Sequence, residues 1–470
     1  MNSFKLFKLS NLALCKESEL EIGKIFNNPL ISKTYAKKND KFFPLFFNAG
    51  LSFVYRVLKK LILFEKKNPK SIYIFSGTLN QYNSIKPVLR FLSKKNYSFN
   101  NLKRVKFSTK IVIISFALFL VRGLPLHLNL KKKYKNKTYW YLYKLTESYM
   151  FIPYFLEELD RIQPKLIILS NDHSIYARSL RITAEILEIK TLYIQHASVS
   201  KIFPPLEFDY ALLDGNVAYQ NYIACYRAQK KNLRIKKNAA NCQVLLSGQK
   251  KKITRVIKKK NNIFKENKTK KLCIGLAVNK LSDFNDTLNI LIHLIKLKVK
   301  CIVRTHPSQN LIFIKKLKLF IKDEEMIRWS NPTEVSLLNY FENLDAIIAG
   351  ETSIHFEAAL AYLPTFYYKF SKKEYSVSDY YGYVKNNLST RLETNFSLKS
   401  LKFLIKKTYN DNQRNQAIKK YSETYGTIWQ NREDELFKKI INRILNNKPF
   451  NDLFEIKKSN IYHSVGHLKL

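Results

Sequence analysis

The strongest constraint on the fold is the alternation of short apolar segments with segments of helical spacing in the second half of the chain. The apolar segments predict five strands, at Leu272–Val278, Cys301–Thr305, Met326–Trp329, Asp345–Ala349 and Thr365–Tyr368. The segments between them predict four helices, at Asp283–Lys296, Leu311–Lys322, Thr333–Glu342 (with Asn331 as N-cap) and Ser353–Tyr362. Continuous apolar strands are typical of a parallel sheet covered on both faces. The pattern therefore predicts a doubly wound α/β unit with right-handed crossovers.

The first half of the chain has the same pattern, less regularly. Ser71–Phe75 predicts a strand and Ser84–Lys94 a helix. A βαβ series follows, with a strand at Lys165–Ser170, a helix at Ser174–Leu187 and a strand at Lys190–Ile194. The change from continuous apolar runs to helical spacing and back is the signal that a parallel sheet requires. Another strand is predicted at Asp209–Leu213, so the first half is predicted to be a second α/β unit.

A chain of 470 residues exceeds what one hydrophobic core usually serves, so two domains are expected. The polar and very basic stretch from about Lys230 to Lys271 is the best candidate for their junction. We predict an N-terminal domain at 1–250, a C-terminal domain at 265–445 and a loosely held tail at 446–470. The predicted fold class is α/β, with two Rossmann-like domains facing a cleft.

The charge is strongly positive, with 82 lysines and arginines against 36 aspartates and glutamates and a formal net charge of +46. Such a field favours anionic partners, namely nucleic acid, acidic lipid surfaces or acidic glycans. Lysine, asparagine, isoleucine, phenylalanine and tyrosine are all abundant, as in proteins from A+T-rich genomes, and this bias explains part of the charge. Because no RNA- or DNA-binding signature occurs, nucleic acid is not the expected partner.

The cysteines and the N-terminal sequence bear on where the protein works. The five cysteines are scattered without a CxxC pair, which indicates a reducing compartment and argues against a common zinc module. No long apolar segment precedes the first acidic residues, so a secretory signal is not expected. We predict a cytoplasmic protein.

The apolar run Ile111–Val121 leaves two interpretations open. It is about half of the roughly 20 residues that a membrane-spanning helix needs. It is either a buried helix or strand, or an interfacial helix with basic flanks, which are Lys103, Arg104, Lys106, Lys110 and Lys131–Lys133. Basic residues around an apolar helix suit an anionic membrane surface, so the protein could be peripheral on the inner membrane.

Polar side chains follow several of the predicted strands. Arg304 and His306 stand at the end of one strand, and Glu351, Thr352 and Ser353 follow another. In open α/β sheets, ligands bind outside the carboxyl ends of the strands, where phosphate can be held. These positions therefore predict a nucleotide-phosphate site. The predicted strand between them is followed by Ser330 and Glu334, which we expect to contact the nucleotide as well.

Several short motifs resemble those of known bacterial transferases. Arg304-Thr305-His306-Pro307 resembles the HP motif of bacterial sialyltransferases, and Thr352-Ser353 resembles their paired-hydroxyl motif. Asn171-Asp172-His173 follows a strand where that group has an acidic motif. Tyr193–Ser198, with the sequence YIQHAS, resembles the QH segment of capsule-type Kdo and polyol-phosphate transferases.

The resemblance implies an inverting glycosyltransferase of the GT-B type. It would move sialic acid, a related nonulosonate or Kdo from a CMP-linked donor to an anionic surface glycan or glycolipid, in capsule or lipooligosaccharide. Asp172 would be the catalytic base, with His196 as the alternative, and His306 would donate to the leaving phosphate. The implied nucleotide-binding residues are Arg304, His306, Pro307, Ser330, Glu334, Glu351, Thr352 and Ser353.

No cofactor or metal is expected, because no DxD-like acidic pair follows a predicted strand. Two other functions stay open at this point. The first is a transferase of polyol phosphate, or of another sugar from a different nucleotide donor. The second belongs to another class, a non-catalytic basic scaffold that binds nucleic acid or membrane.

Overall fold

The structure is a computed structural model in which two compact units are distinguished. The described residues are 1–17, 69–93, 96–126, 128–129, 139–199, 203–230, 242–249, 253, 271–279, 282–306, 309–321, 325–370, 379–458 and 461–464. Unit 1 comprises Met1–Asp214, Ala218–Lys250 and Asp434–Val465. Unit 2 comprises Gly215–Val217 and Lys251–Glu433, together with the chain end from Gly466. Most of the predicted junction, Lys230–Lys271, lies outside the described residues, as do Lys131–Lys133.

Unit 1 is built on a sheet of eight described strands. They are β1 (Ile72–Ser76), β2 (Tyr97–Asn101), β3 (Leu166–Leu169), β4 (Lys190–Ile194), β5 (Tyr210–Leu213), β6 (Gln243–Leu246), β13 (Phe454–Lys458) and β14 (Ile461–Ser464). Their order across the sheet is β13-β14-β6-β5-β4-β3-β1-β2. Every pair is parallel except β13 and β14, which are antiparallel. All four residues of β3 (LIIL) are buried, which explains its continuous apolar sequence.

Helices of unit 1 cover its sheet. They are α1 (Ser3–Lys16), α2 (Leu79–Phe91), α3 (Thr109–Leu118), α4 (Tyr139–Ile162), α5 (Ile175–Ile186), α6 (Asn216–Lys230) and α13 (Glu433–Leu445). A π-helical turn, Phe119–Gly123, continues α3. Polar residues begin several of these helices. The Oγ1 atom of Thr78, for example, accepts a hydrogen bond from the Gln81 amide, so α2 starts earlier than the predicted Ser84.

Unit 2 is built on a parallel sheet of six described strands. They are β7 (Cys273–Val278), β8 (Lys300–Thr305), β9 (Ile327–Ser330), β10 (Ala346–Ala349), β11 (Thr365–Tyr367) and β12 (Thr390–Arg391), in the order β12-β11-β10-β7-β8-β9. The helices are α7 (Phe284–Lys296), α8 (Leu311–Phe320), α9 (Leu337–Glu342), α10 (Ile354–Leu360), α11 (Leu398–Asn410) and α12 (Arg414–Tyr421). These two units confirm the predicted fold class, an α/β protein with two Rossmann-like domains.

Two details of the fold correct sequence-based expectations. Within the predicted tail 446–470, the described strand β14 pairs with β6 and extends the sheet of unit 1, so this part is not loosely held. Helix α9 begins at Leu337, capped by Ser336, and not at Thr333. Asn331, the predicted cap, instead closes a local turn by accepting a hydrogen bond from the Thr333 amide at 3.1 Å. The acceptor and nucleotide roles of the two domains stay predictions.

Candidate functional site

The strand order of unit 2 reverses between β7 and β10. From β7 the chain proceeds outward through β8 and β9, and then returns to the other side of β7 with β10, β11 and β12. Such a reversal leaves a crevice at the carboxyl ends of the two strands, and open α/β sheets bind ligands there. The residues just after Val278 and Ala349 therefore lie where the topology favours a ligand.

Asn279, which follows β7, connects the strand ends at this position. Its Nδ2 donates a hydrogen bond to the carbonyl oxygen of Glu351, 2.7 Å away. On the other side of β7, the His306 amide donates to the carbonyl oxygen of Val278 at 2.8 Å. The segments that carry the predicted HP and paired-hydroxyl motifs are thus held on either side of β7. Asn279 was not among the predicted residues.

Arg304 is held at the end of β8 by two hydrogen bonds. Its Nη1 donates to Ser330 Oγ at 2.9 Å, and its Nη2 donates to the carbonyl oxygen of Val335 at 3.0 Å. The guanidinium also lies over the ring of Tyr340, 5.1 Å from its centroid. Partial burial lowers the pKa of Arg304, yet the group stays charged at neutral pH. Arg304 and the buried Ser330 therefore form a fixed pair at adjacent strand ends.

Glu351 has a positioning role in the structure. Its Oε1 accepts hydrogen bonds from the Tyr367 hydroxyl at 2.5 Å and from the Tyr380 amide at 3.0 Å. Burial raises the pKa of Glu351, against the lowering effect of these donors. Because this carboxylate holds Tyr367 and Tyr380, a direct contact with a nucleotide stays a prediction.

Thr352 and Ser353 directly precede α10, and neither side chain is fully buried. No side-chain hydrogen bond from Ser353 caps the helix. The hydroxyl of Ser353 therefore does not act as a helix cap. Helix α10 has only seven residues, so the candidate donors to a phosphate at this position are the two hydroxyls and not a helix dipole.

The remaining predicted residues of unit 2 differ in their surroundings. His306 is exposed directly beyond β8. Pro307 lies outside the described residues. Glu334 is exposed and accepts a hydrogen bond from Asn331 Nδ2 at 2.5 Å, within the turn that precedes α9. The structure thus brings Arg304 and Ser330 together and puts Glu334 in the loop that follows Ser330.

In unit 1, a buried carboxylate and a histidine form a pair after β3. Asp172 is fully buried, and its Oδ1 lies 2.7 Å from Nδ1 of His173. The Tyr222 hydroxyl donates to Oδ2 of Asp172 at 2.6 Å. Both carboxylate oxygens are therefore engaged, while the His173 side chain keeps 22% of its surface exposed. The accessible member of the pair is His173, which was not among the predicted site residues.

The protonation states follow from these contacts. Burial alone would raise the pKa of Asp172, but the hydrogen bonds from His173 and Tyr222 outweigh it, and its net pKa is lowered. An ionised carboxylate accepts hydrogen bonds only, so Nδ1 of His173 carries a proton. The other ring nitrogen, Nε2, lies 3.5 Å from Asn171 Nδ2. In this arrangement Asp172 orients the ring of His173, and its assignment as the catalytic base stays a prediction.

His196 follows β4 and belongs to the same neighbourhood. Its ring centroid lies 6.3 Å from that of His173, and its charge contributes to lowering the pKa of Asp172. The preceding Gln195 is buried and structural. Its Oε1 accepts from the Asp214 amide at 2.9 Å, and its Nε2 donates to the carbonyl oxygen of Ala197 at 3.0 Å. The loop that carries His196 is therefore fixed to the end of β5.

Gly77, which follows β1, is in close contact with the ring of Tyr176. A Cβ at Gly77 would lie 1.9 Å from the Tyr176 hydroxyl, so only glycine allows this contact. The same hydroxyl accepts from Gln81 Nε2 at 2.9 Å, and Gln81 Oε1 accepts from the Gly77 amide at 2.6 Å. This packing fills the sheet edge beside the strand that bears Asp172 and His173.

Metal binding has no support in the part of the chain that the structure describes. There, no group of three or more histidine, cysteine, aspartate or glutamate side chains is arranged to hold an ion. The expectation that no metal is required stays a prediction.

Comparisons with known proteins find solved structures that are similar to this chain at low sequence identity. No protein-family model and no curated protein sequence matches the chain. A putative UDP-N-acetylglucosamine 2-epimerase from Listeria monocytogenes has 10% identity and a TM-score of 0.48, covering 82% of this chain and 98% of its own. S. aureus MnaA with UDP has 11% identity and a TM-score of 0.46, covering 81% and 99%. A glycotransferase of kitacinnamycin has 9% identity and a TM-score of 0.40, covering 80% and 99%.

Proposed function

We propose that the protein is a GT-B glycosyltransferase that transfers an acidic sugar from a CMP-linked donor to a hydroxyl of a bacterial surface glycan, with inversion. The sugar would be sialic acid, a related nonulosonate or Kdo. The proposal is supported by two α/β units, by the sequence motifs and by the side chains at two sets of strand ends. The acceptor would be an anionic glycan or glycolipid of capsule or lipooligosaccharide.

The observation that carries the proposal is the arrangement at the strand-order reversal of unit 2. His306 and the Thr352-Ser353 pair follow the two strands that flank β7, and Asn279 is bonded to the second of these segments. Arg304 adds a fixed positive charge near the end of β8. A cation, an imidazole and two hydroxyls outside parallel strand ends suit a nucleotide phosphate.

The chemistry gives these groups their roles. When the bond from the anomeric carbon to the phosphate oxygen breaks, CMP leaves with the electron pair and carries the developing negative charge. Donors that are already in place stabilise that charge most effectively. We assign this task to His306, with the hydroxyls of Thr352 and Ser353 as further donors. The proposed role of Arg304 is electrostatic, because its N–H groups already hold Ser330 and Val335.

The acceptor hydroxyl needs a base, and His173 is our candidate. Nε2 of His173 would take the hydroxyl proton while the acceptor oxygen bonds to the anomeric carbon from the side opposite to CMP, which gives inversion. The ionised Asp172 would stabilise the imidazolium that forms, as a buried carboxylate does for a catalytic histidine elsewhere. His196 is kept as the alternative base because its ring is near that of His173.

A thermal-shift titration with CMP, CDP, UMP, UDP and GDP tests the nucleotide assignment. A ligand that binds the folded state raises the melting temperature by mass action. We expect CMP to give the largest shift and His306→Ala to remove it. Lys300→Ala, at the amino end of the same strand, is the matched control and should keep the shift.

The other outcomes separate the alternatives. A selective shift with UDP, GDP or CDP would keep a nucleotide site but favour the polyol-phosphate or other nucleotide-sugar transferase. No shift with any nucleotide would contradict the enzyme proposal and favour the basic scaffold. Turnover of CMP-sialic acid or CMP-Kdo in the presence of EDTA then tests the expected independence from metal.

A further inference from the structure

The face of α3 that points away from the core of unit 1 is apolar. Ile113 is 64% exposed, Phe116 52%, Leu120 47% and Val121 62%, and we refer to these four residues as the α3 patch. The enclosing stretch Thr109–Leu126 is long and apolar enough to cross a membrane by length and composition, but only 28% of it is buried. A buried core helix would not leave its large apolar side chains in water. Exposed apolar patches of this kind are typical of surfaces that bind a protein or a membrane.

The opposite face of α3 fixes the helix to unit 1. Ile111, Ile114 and Leu118 are nearly fully buried and belong to its hydrophobic clusters. A helix packed in this way lies along the surface of the unit and cannot cross a bilayer by itself. The structure therefore favours the interfacial interpretation of this apolar run over the buried one.

Helix α1 lies alongside α3 in the same direction. Lys110 Nζ donates a hydrogen bond to the carbonyl oxygen of Met1 at 2.6 Å, and Arg122 Nη1 donates to Asn11 Oδ1 at 3.2 Å. Helix α1 adds two more exposed apolar side chains, Phe4 at 78% and Leu12 at 43%. The exposed apolar surface thus extends over two neighbouring helices.

The stretch of sequence that encloses the α3 patch carries only positively charged side chains. The 81 residues Lys66–Thr146 contain 18 lysines and arginines and no aspartate or glutamate. Immediately before α3, the side chains of Lys103, Arg104 and Lys106 are exposed. On α1, three further lysines are exposed, namely Lys5, Lys8 and Lys16. Some cations of these helices are neutralised within the unit, because Lys110 pairs with Glu157 and the Met1 amino group with Asp160, both at 2.8 Å. Apolar side chains beside the remaining exposed cations complement an anionic bilayer surface.

We propose that the α3 patch docks unit 1 on a membrane of anionic phospholipid, with α3 lying in the plane of the interface. The apolar side chains would enter the boundary between headgroups and acyl chains, and the lysines would stay at the phosphates. A second copy of the chain is a poorer occupant, because two surfaces of the same positive charge repel each other. Nucleic acid would use the cations but would leave the apolar side chains in water. This inference does not depend on the proposed enzymatic activity.

Vesicle co-sedimentation of the full chain tests the docking. We expect binding to vesicles of phosphatidylcholine mixed with phosphatidylglycerol, and much weaker binding to phosphatidylcholine alone. The variant Ile113→Gln/Phe116→Gln should bind the mixed vesicles at least about tenfold less tightly, because two large apolar side chains no longer enter the interface. The matched control is Leu319→Gln/Phe403→Gln in unit 2. Leu319 is 71% exposed and Phe403 63%, so this variant also removes two exposed apolar side chains, but it should bind the vesicles like the unchanged chain.

Several outcomes would overturn the proposal. Equal binding to both kinds of vesicle, no binding to either, or equal loss in the two double variants would each exclude an anionic docking surface at α3. Unchanged binding by Ile113→Gln/Phe116→Gln would mean that any attraction is electrostatic alone. A dimer in light scattering that this variant converts to monomer, without vesicle binding, would make a second copy the occupant. Circular dichroism melting of every variant checks that the fold is intact.

Discussion

Nδ1 of His173 lies 2.7 Å from Oδ1 of Asp172, and this contact assigns different tasks to two adjacent residues. Asp172 is fully buried and keeps a lowered pKa through its hydrogen bonds, so it is a fixed negative charge. His173 is partly exposed, and its second ring nitrogen, Nε2, lies 3.5 Å from Asn171 Nδ2. The pair has the form of a histidine base oriented by a carboxylate, in the unit to which we assign acceptor binding.

Replacing the base should reduce turnover much more than it changes nucleotide binding. We expect His173→Gln to lower kcat for transfer from a CMP-sugar by about 10² to 10⁴, the usual contribution of general base catalysis. The CMP-induced thermal shift should be unchanged, because the nucleotide site is proposed in unit 2. Steady-state kinetics with the acceptor, together with the CMP titration, measure both quantities.

Graded variants around the pair distinguish His173 from His196. Asp172→Asn should approach the effect of His173→Gln, because the imidazolium would lose its stabilising charge. Tyr222→Phe removes one neutral hydrogen bond at 2.6 Å and should cost less than about tenfold. If His196→Gln abolished turnover while His173→Gln left it intact, the base would be His196.

Protonation of His355 should weaken unit 2 in mild acid. Burial lowers the pKa of His355 to about 4, although its contacts with the carbonyl oxygens of Ala349 and Gly350 oppose the shift. The unfolded chain binds this proton near pH 6.5 and the folded chain does not, so stability is complete above pH 6.5 and falls as the pH decreases to about 4. The expected loss is roughly 3 kcal/mol.

Urea unfolding at several pH values, compared with His355→Gln, isolates this contribution. The variant should lose less stability than the unchanged chain between pH 6.5 and 4, so the two curves converge on acidification. Curves that stay parallel would mean that His355 does not titrate between the folded and unfolded states.

The fold was predictable because its strands are buried on both faces. Ala346–Ala349 and Leu166–Leu169 are continuous apolar segments, which period-based reasoning detects directly. Tyr97–Asn101 was missed because β2 is an edge strand with the polar sequence YSFNN. The strands β13 and β14 were missed for a different reason. The pairing of β14 with β6 joins segments that are more than 200 residues apart, and no local pattern encodes such a contact; β13 is added to the sheet by pairing with β14.

The places of the candidate residues in the fold were predictable, whereas their functional roles stay predictions. The ends of the predicted strands indicated Arg304, His306 and Asp172 as candidates, because parallel α/β sheets bind ligands outside the carboxyl ends of their strands. The sequence could not show that Asp172 is buried or that Tyr222, 50 residues further along, satisfies its second oxygen. A histidine directly after an aspartate at a strand end was the signal that could have predicted the contact between His173 and Asp172.

Glu17 should be essential for the stability of unit 1. Its carboxylate is 1% exposed and accepts from Nε of Arg178 at 2.6 Å and from Arg181. Glu17→Gln would leave two buried guanidinium groups with less compensating charge, at an expected cost of about 3 kcal/mol. Glu185→Gln is the control, because Glu185 also pairs with Arg181 but is more exposed, and it should cost about 1 kcal/mol or less. Equal losses in urea unfolding would contradict this difference.

Gly77 should tolerate no side chain while Tyr176 is present. In Gly77→Ala the new methyl group would overlap the Tyr176 ring, so we expect a cost of about 1 to 3 kcal/mol and displacement of Tyr176 from Gln81. The same substitution in a Tyr176→Ala background should cost much less, because the overlapping atoms are gone. A double-mutant cycle by urea unfolding measures this coupling directly. Additive effects of the two substitutions would mean that the ring does not rest on Gly77, and that the edge of the sheet beside Asp172 and His173 is open.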